Sequence, residues 1–168
     1  MMVNASVSQA YYLSGAKWSG QPASPNCCGT VNVDYAQMLS VDITGWDHGR
    51  SNWINSKAQI YIYHGGTGNT MTLTDTNDST IGWDGYTSMS VSGGYFVSGT
   101  AYLNYYFIQN YSWGQVDGVA THELGHVIGL AHNSSGCVIM TPYTSYRWGT
   151  CGISTPQTDD VNGINSLY

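Results

Sequence analysis

Eleven consecutive residues carry the chemistry that sets this chain apart: His122-Glu123-Leu124-Gly125-His126-Val127-Ile128-Gly129-Leu130-Ala131-His132. On a helix, positions four apart share a face, so His122 and His126 direct two imidazoles at one point with Glu123 beside them. Gly129 suits a left-handed helix stop that turns the chain back and brings His132 to the same point. Three imidazole ligands with a fourth position left for water form the donor set of a catalytic rather than a structural zinc ion. Glu123 is then placed to act as a base toward that water. It is the only glutamate among the 168 residues, and three of the five histidines lie in this stretch. A bare HExxH also occurs on solvated amphipathic helices. The added glycine and third histidine separate this motif from that background.

Such ligands need a rigid base. Val116, Val119, Ala120, Val127, Leu130 and Ala131 form an apolar stripe that predicts a buried central helix under the motif. Upstream, Thr30–Tyr35 and Gln59–Tyr63 alternate apolar with polar residues and read as strands. Between them, Ile43, Trp46, Arg50, Trp53 and Ile54 recur at helical spacing within 41–55, against the low propensity of Gly45 and Gly49. Thr80–Thr87 and Tyr95–Ile108 read as further strands with Gly93-Gly94 as a turn, giving a sheet of four or five. His64–Asn69 is glycine-rich but lacks the Lys-Ser/Thr ending of a phosphate loop and reads as a plain loop. Tyr11–Trp18 leads into a connection, Ser19–Thr30, which carries Pro22, Pro25 and Gly29, so 1–28 is expected to be loop-rich. At the other end, Thr155 reads as the N-cap of a last helix, with Pro156 at its first position and Asp159 and Asp160 in its first turns.

A chain of 168 residues is expected to form one domain over 1–168. Charged residues make up 8% of it, against about 25% in ordinary globular chains. The surface is therefore neutral and polar, as suits a secreted, extracellular protein. A net charge of −6 with four Lys+Arg cannot build a basic patch, which argues against nucleic acid or membrane as a partner; a monomer is expected. Met1–Ser6 has neither a basic nor an apolar signal region, and no segment is long enough to span a membrane. Four cysteines suit an oxidising compartment. The favoured pair is Cys137 with Cys151, whose 15-residue loop contributes about 3 kcal/mol in the chain-entropy model. Cys27-Cys28 would remain as a vicinal disulfide or as two thiols.

Val119–His132, the run Val138-Ile139-Met140-Thr141-Pro142-Tyr143 and the segment Thr155–Tyr168 together resemble the metzincin zinc endopeptidases in their matrixin-like form. The resemblance implies an α+β fold: a twisted, mostly parallel five-stranded sheet with an antiparallel edge strand and three helices, and zinc in a cleft across the middle. Thr80–Thr87 would be the upper edge of that cleft. It implies that Met140 is the Met-turn residue beneath the metal, that Asp159 and Asp160 are structural, and that Pro142 and Tyr143 wall the pocket for the side chain after the cleaved bond. Trp83 and Gly118 are expected in the same pocket, where a glycine would leave it deep and suited to a medium or large apolar side chain. Tyr143 and Tyr146 are expected as cleft residues rather than ligands. Matrixins carry a second, structural zinc on three histidines and an aspartate; only His48 and His64 remain here, so that site is expected to be absent. Asp75, Asn77 and Asp78 are oxygen ligands suited to calcium (Ca2+), although a polar turn has the same composition and is favoured. Pro25-Asn26-Cys27-Cys28-Gly29 resembles the cysteine-switch peptide of matrixin zymogens but lacks its arginine and aspartate, and reads as structural. The implied activity is that of a secreted zinc-dependent (Zn2+) endopeptidase acting on peptide or protein substrates, with Glu123 as general base and acid. A hydrolase of small or cell-wall peptides, and a non-catalytic zinc module that binds peptide, are the alternatives.

Overall fold

The computed structural model describes residues 11–19, 28–65 and 71–168. Strands β1 (Gly29–Tyr35), β2 (Ile60–His64), β3 (Met71–Thr76), β4 (Gly85–Ser92) and β5 (Tyr95–Asn104) form one sheet in the order β2-β1-β3-β5-β4. β1 runs parallel to β2 and β3, and β3 parallel to β5. β4 alone is antiparallel and lies at the edge. This is the mostly parallel sheet with an antiparallel edge strand that the sequence resemblance implies. Three long helices accompany it, α1 (Ser40–Asn55), α3 (Trp113–Val127) and α5 (Thr158–Leu167), with single turns α2 (Tyr105–Ile108) and α4 (Thr144–Arg147). Among the described residues, no helix is long and apolar enough to cross a membrane.

The parallel pair β1 and β2 needs a crossover, and α1 supplies it. Its Trp46 and Trp53 are fully buried in one core cluster with the sheet residues Val33, Ile62 and Leu73 and the α3 residues Val119, Ala120 and Leu124. α3 is thus a core helix, as its apolar stripe predicts, and starts at Ser112, whose backbone N–H donates to Gln115 Oε1 at 3.0 Å.

One strand and three boundaries differ from the sequence reading, each for a physical reason. β3 was not anticipated: its alternation is only Met71-Thr72-Leu73-Thr74, although Met71 and Leu73 are the buried members. The edge strand begins at Gly85, not at Thr80, because Asp78 Oδ1 accepts from the Thr80 backbone N–H (2.7 Å) and hydroxyl (2.6 Å) and closes a turn. β5 stops at Asn104, whose Oδ1 accepts from the Tyr106 N–H at 3.3 Å and starts α2. α5 starts at Thr158, with Gln157 as N-cap in place of Thr155, because Asp160 Oδ2 accepts from the Gln157 N–H at 2.8 Å. The segment 11–19 is also more than a connection. Ser14 N–H donates to Gly129 O and Ala131 N–H to Tyr12 O, both at 2.9 Å, and Trp18 Nε1 donates to Val127 O at 2.7 Å.

Candidate metal centre

The last two turns of α3 present His122, Glu123 and His126. Gly129 then adopts φ +113°, a conformation that a residue with a β-carbon rarely takes, and the chain reverses to deliver His132. One potential ligand atom from each of the three histidines lies within 4.8 Å of the others. His122 Nδ1–H donates to Ile139 O at 2.7 Å and His126 Nδ1–H to Leu130 O at 2.8 Å, which leaves Nε2 of each ring free to ligate. His132 Nε2 stands 3.2 Å from His122 Nε2. Two nitrogens each about 2.0–2.1 Å from one tetrahedral zinc stand about 3.3–3.4 Å apart, so the donor set fits that ion. Burial lowers the pKa of all three rings, to about 4 for His126, so they are neutral and able to coordinate at neutral pH.

Glu123 is buried beside them, and that burial pushes its carboxyl up to about 8. Its Oε2 accepts from the Thr87 hydroxyl of β4 at 2.7 Å. Beneath the site Met140 is 1% exposed, and its Sδ occupies the space a β-carbon at Gly125 would need. That explains the glycine between the two helical ligands. The turn carrying Met140 is pinned from α5, where Asp160 accepts from the Ile139 N–H (Oδ2, 2.9 Å) and the Met140 N–H (Oδ1, 3.3 Å). Asp159 Oδ2 accepts from Asn133 Nδ2 at 2.9 Å. Cys137 and Cys151 are bonded and close the loop around this turn.

Two cavities flank Glu123. One, of about 490 Å³, is lined by Met89, Val91, Phe96 and Leu130 together with His126 and His132. The other, of about 630 Å³, brings Trp83, Pro142 and Tyr143 together with His122, Glu123 and His132. Tyr146 is 41% exposed and lines neither cavity. Gly118 lines neither of these two cavities; it is buried on α3 against the segment before α5, where a β-carbon would lie 3.5 Å from Ser154 Cα and 3.6 Å from Ile153 O.

The remaining candidates have other partners. His48 Nδ1 pairs with Asp117 Oδ1 at 2.9 Å, and His64 stacks on Tyr35 with centroids 3.8 Å apart. Asp75 Oδ2 accepts from the Leu39 N–H at 3.0 Å, and Asp78 closes the turn already described. Cys28 is disulfide-bonded, while Cys27 and the rest of 20–27 lie outside the described residues.

The pattern shared by the matrixins, peptidase family M10, matches residues 46–168. The chain belongs to the matrixin family. Among curated matrixins, it is 49% identical over 47 residues to a putative matrix metalloproteinase of Spodoptera frugiperda ascovirus 1a, covering 28% of this chain and 12% of the relative. It is 46% identical over 50 residues to human (Homo sapiens) neutrophil collagenase, covering 30% of this chain and 10% of that protein. The match thus spans only about a tenth of those relatives' length. Among solved structures, it is similar to myroilysin (12% identity, TM-score 0.49, 72% of this chain and 54% of that one). It is similar also to the zinc-protease hatching enzyme HCE-1 of medaka, Oryzias latipes (13% identity, TM-score 0.42, 71% and 51%).

Two residues at this matrixin site escaped the sequence reading. Thr87 was seen only as part of a strand. Arg147 is 2% exposed; its Nη1 donates to Thr141 O at 2.7 Å and its Nη2 to Thr144 Oγ1 at 2.8 Å. Nη1 also lies 3.1 Å from His122 Nδ1, but that ring N–H already points at Ile139 O, so the two are neighbouring donors. The available signal was scarcity, since the chain has only two arginines.

Proposed function

We infer that this matrixin chain is a zinc-dependent endopeptidase that hydrolyses internal peptide bonds of an extended peptide or protein substrate. The supporting observation is the position of Glu123, buried beside three neutral imidazoles and lining a cavity on either side. A substrate can then continue in both directions from the reacting bond, whereas a site for small amides needs only one pocket. Zinc, when bound, supplies the Lewis acidity that polarises the scissile carbonyl. The chain's own residues do the rest. His122, His126 and His132 hold the ion, and the carbonyls of Ile139 and Leu130 fix the first two rings. Glu123 takes the proton of the attacking water and delivers it to the leaving amine. Burial has raised its proton affinity, which suits a group that must accept a proton and give it up again. The outer edge of β4 offers its backbone to an extended substrate as one more strand. An extracellular setting belongs to the same proposal, supported by the Cys137–Cys151 bond and the low charge content.

The test is Glu123→Ala. Expected are one zinc per chain in both proteins and a kcat lowered by about 10²–10⁴ in the variant. The readout is mass-spectrometric mapping of cuts in a denatured protein, with and without a zinc chelator. Full activity in the variant, or chelator-resistant cuts in the parent, would overturn the reading.

A further inference from the structure

The cavity on the Pro142 side has an unusual chemistry for a pocket beside a zinc centre. Alongside Trp83 and Tyr86 it is lined by Asp84, Tyr111 and Arg147. Tyr143 is 73% exposed and stands at the rim, whereas Arg147, at 2%, lies deep. The ion pairs among the described residues are His48–Asp117 and Arg50–Asp47, so the Arg147 guanidinium has no carboxylate in contact. Its two bonds, to Thr141 O and Thr144 Oγ1, go to neutral acceptors and use two of the five N–H groups of a guanidinium. Asp84 Oδ2 accepts from the Tyr111 hydroxyl at 3.0 Å, and among the described residues no donor bonds its Oδ1. The pocket therefore presents a strong donor and a strong acceptor, with a phenol bonded to the second.

An alkyl side chain entering this space would strip water from both groups and satisfy neither. A carboxylate would gain Arg147 but meet Asp84, and an ammonium would gain Asp84 but meet Arg147. A carboxamide is neutral and, unlike a hydroxyl, accepts and donates through two separate atoms on one planar group, so it can face both at once. We propose that the Arg147–Tyr111–Asp84 wall makes this subsite a carboxamide receptor, so that the cleaved substrate carries glutamine at a position flanking the scissile bond. Glutamine outranks asparagine because its longer stem reaches further from the backbone to the deep guanidinium. This deepens the endopeptidase reading and rests on it.

The experiment profiles cuts by zinc-loaded protein in a proteome-derived peptide library, for the parent and for Asp84→Asn. The parent is expected to enrich glutamine at one flanking position about tenfold or more over leucine, since sites built to hydrogen-bond a substrate group discriminate strongly against analogues lacking it. In Asp84→Asn the repelling charge is gone while Arg147 stays, and the same position is expected to turn toward glutamate by about tenfold. A change in preference from a neutral to an acidic side chain is something that a merely structural Asp84 would not produce. Leucine or phenylalanine dominating both flanking positions, or an Asp84→Asn profile identical to the parent's, would overturn the carboxamide inference and leave peptide-bond hydrolysis standing. No cuts at all from the zinc-loaded parent would overturn the endopeptidase reading, and this inference with it.

Discussion

Among the described residues, Glu123 has a single side-chain donor, the Thr87 hydroxyl, which comes from a strand 36 residues earlier in the chain. That bond fixes one carboxylate oxygen, Oε2, against β4. Thr87→Val keeps the branched shape and removes only the donor. Its expected effect is a kcat lower by about tenfold, in line with the loss of one bond to a charged group, with KM and zinc content unchanged. Thr87→Ser should restore the rate. Steady-state kinetics on a fixed peptide decides the point, and an unchanged kcat in the valine variant would show that the hydroxyl has no positioning role. The contrast with the motif residues shows why one part of this site is legible in sequence and the other is not. His122, Glu123 and His126 lie within a helical turn of one another, so their convergence follows from local geometry, and Gly129 adds the reversal that recruits His132. Thr87 and Arg147 reach the same site from other elements, and threonine in a strand or arginine near a chain end has no spacing to betray it.

The Met-turn is held by contacts that belong to whole elements. From below, Asp160 on α5 binds two of its N–H groups; from the side, the Cys137–Cys151 bond closes a loop that contains Met140, Pro142, α4 and Arg147. Replacing both cysteines by serine is expected to cost about 3 kcal/mol in the chain-entropy model. That corresponds to a Tm lower by about 6–12 °C for a domain of this size, measured by calorimetry on zinc-loaded samples. Because the loop also carries the Pro142 pocket, the variant's cut-site preference should broaden while the three imidazoles still bind zinc. An unchanged Tm would mean that α5 and Arg147 hold the turn without help from the bond. The same kind of contact explains where element boundaries were misread. The α5 start moved from Thr155 to Gln157 because Asp160 bonds there, and the edge strand lost Thr80–Asp84 because Asp78 closes a turn. Alternation and helical period indicate that an element exists; side-chain bonds to backbone decide where it ends. β3 was missed for a different reason, since two buried residues among threonines give too weak an alternation to rise above a loop.

At the scale of the whole molecule, so few charges are present that a single buried carboxyl can shape the response to pH. Asp42, in the first turn of α1, is 0% exposed, and neither of its oxygens has a hydrogen-bond donor. Burial first, and the neighbouring Asp75 carboxylate second, push its pKa from 3.8 up to about 7. Because the folded-state pKa lies above the unfolded one, the folded protein holds this proton more tightly than the unfolded chain does. Stability is therefore greatest below the unfolded pKa, falls as pH rises toward the folded pKa near 7, and is level above it. Asparagine cannot ionise, so Asp42→Asn should match the parent near pH 4 and exceed it at pH 8, by an amount on the order of 2–4 kcal/mol. Urea unfolding of both proteins across pH 4–8 measures this, and taking the difference between them cancels the loss of zinc ligation in acid that both share. Parallel stability curves would mean that Asp42 titrates alike in the two states, and that its neighbourhood is wetter than its burial implies.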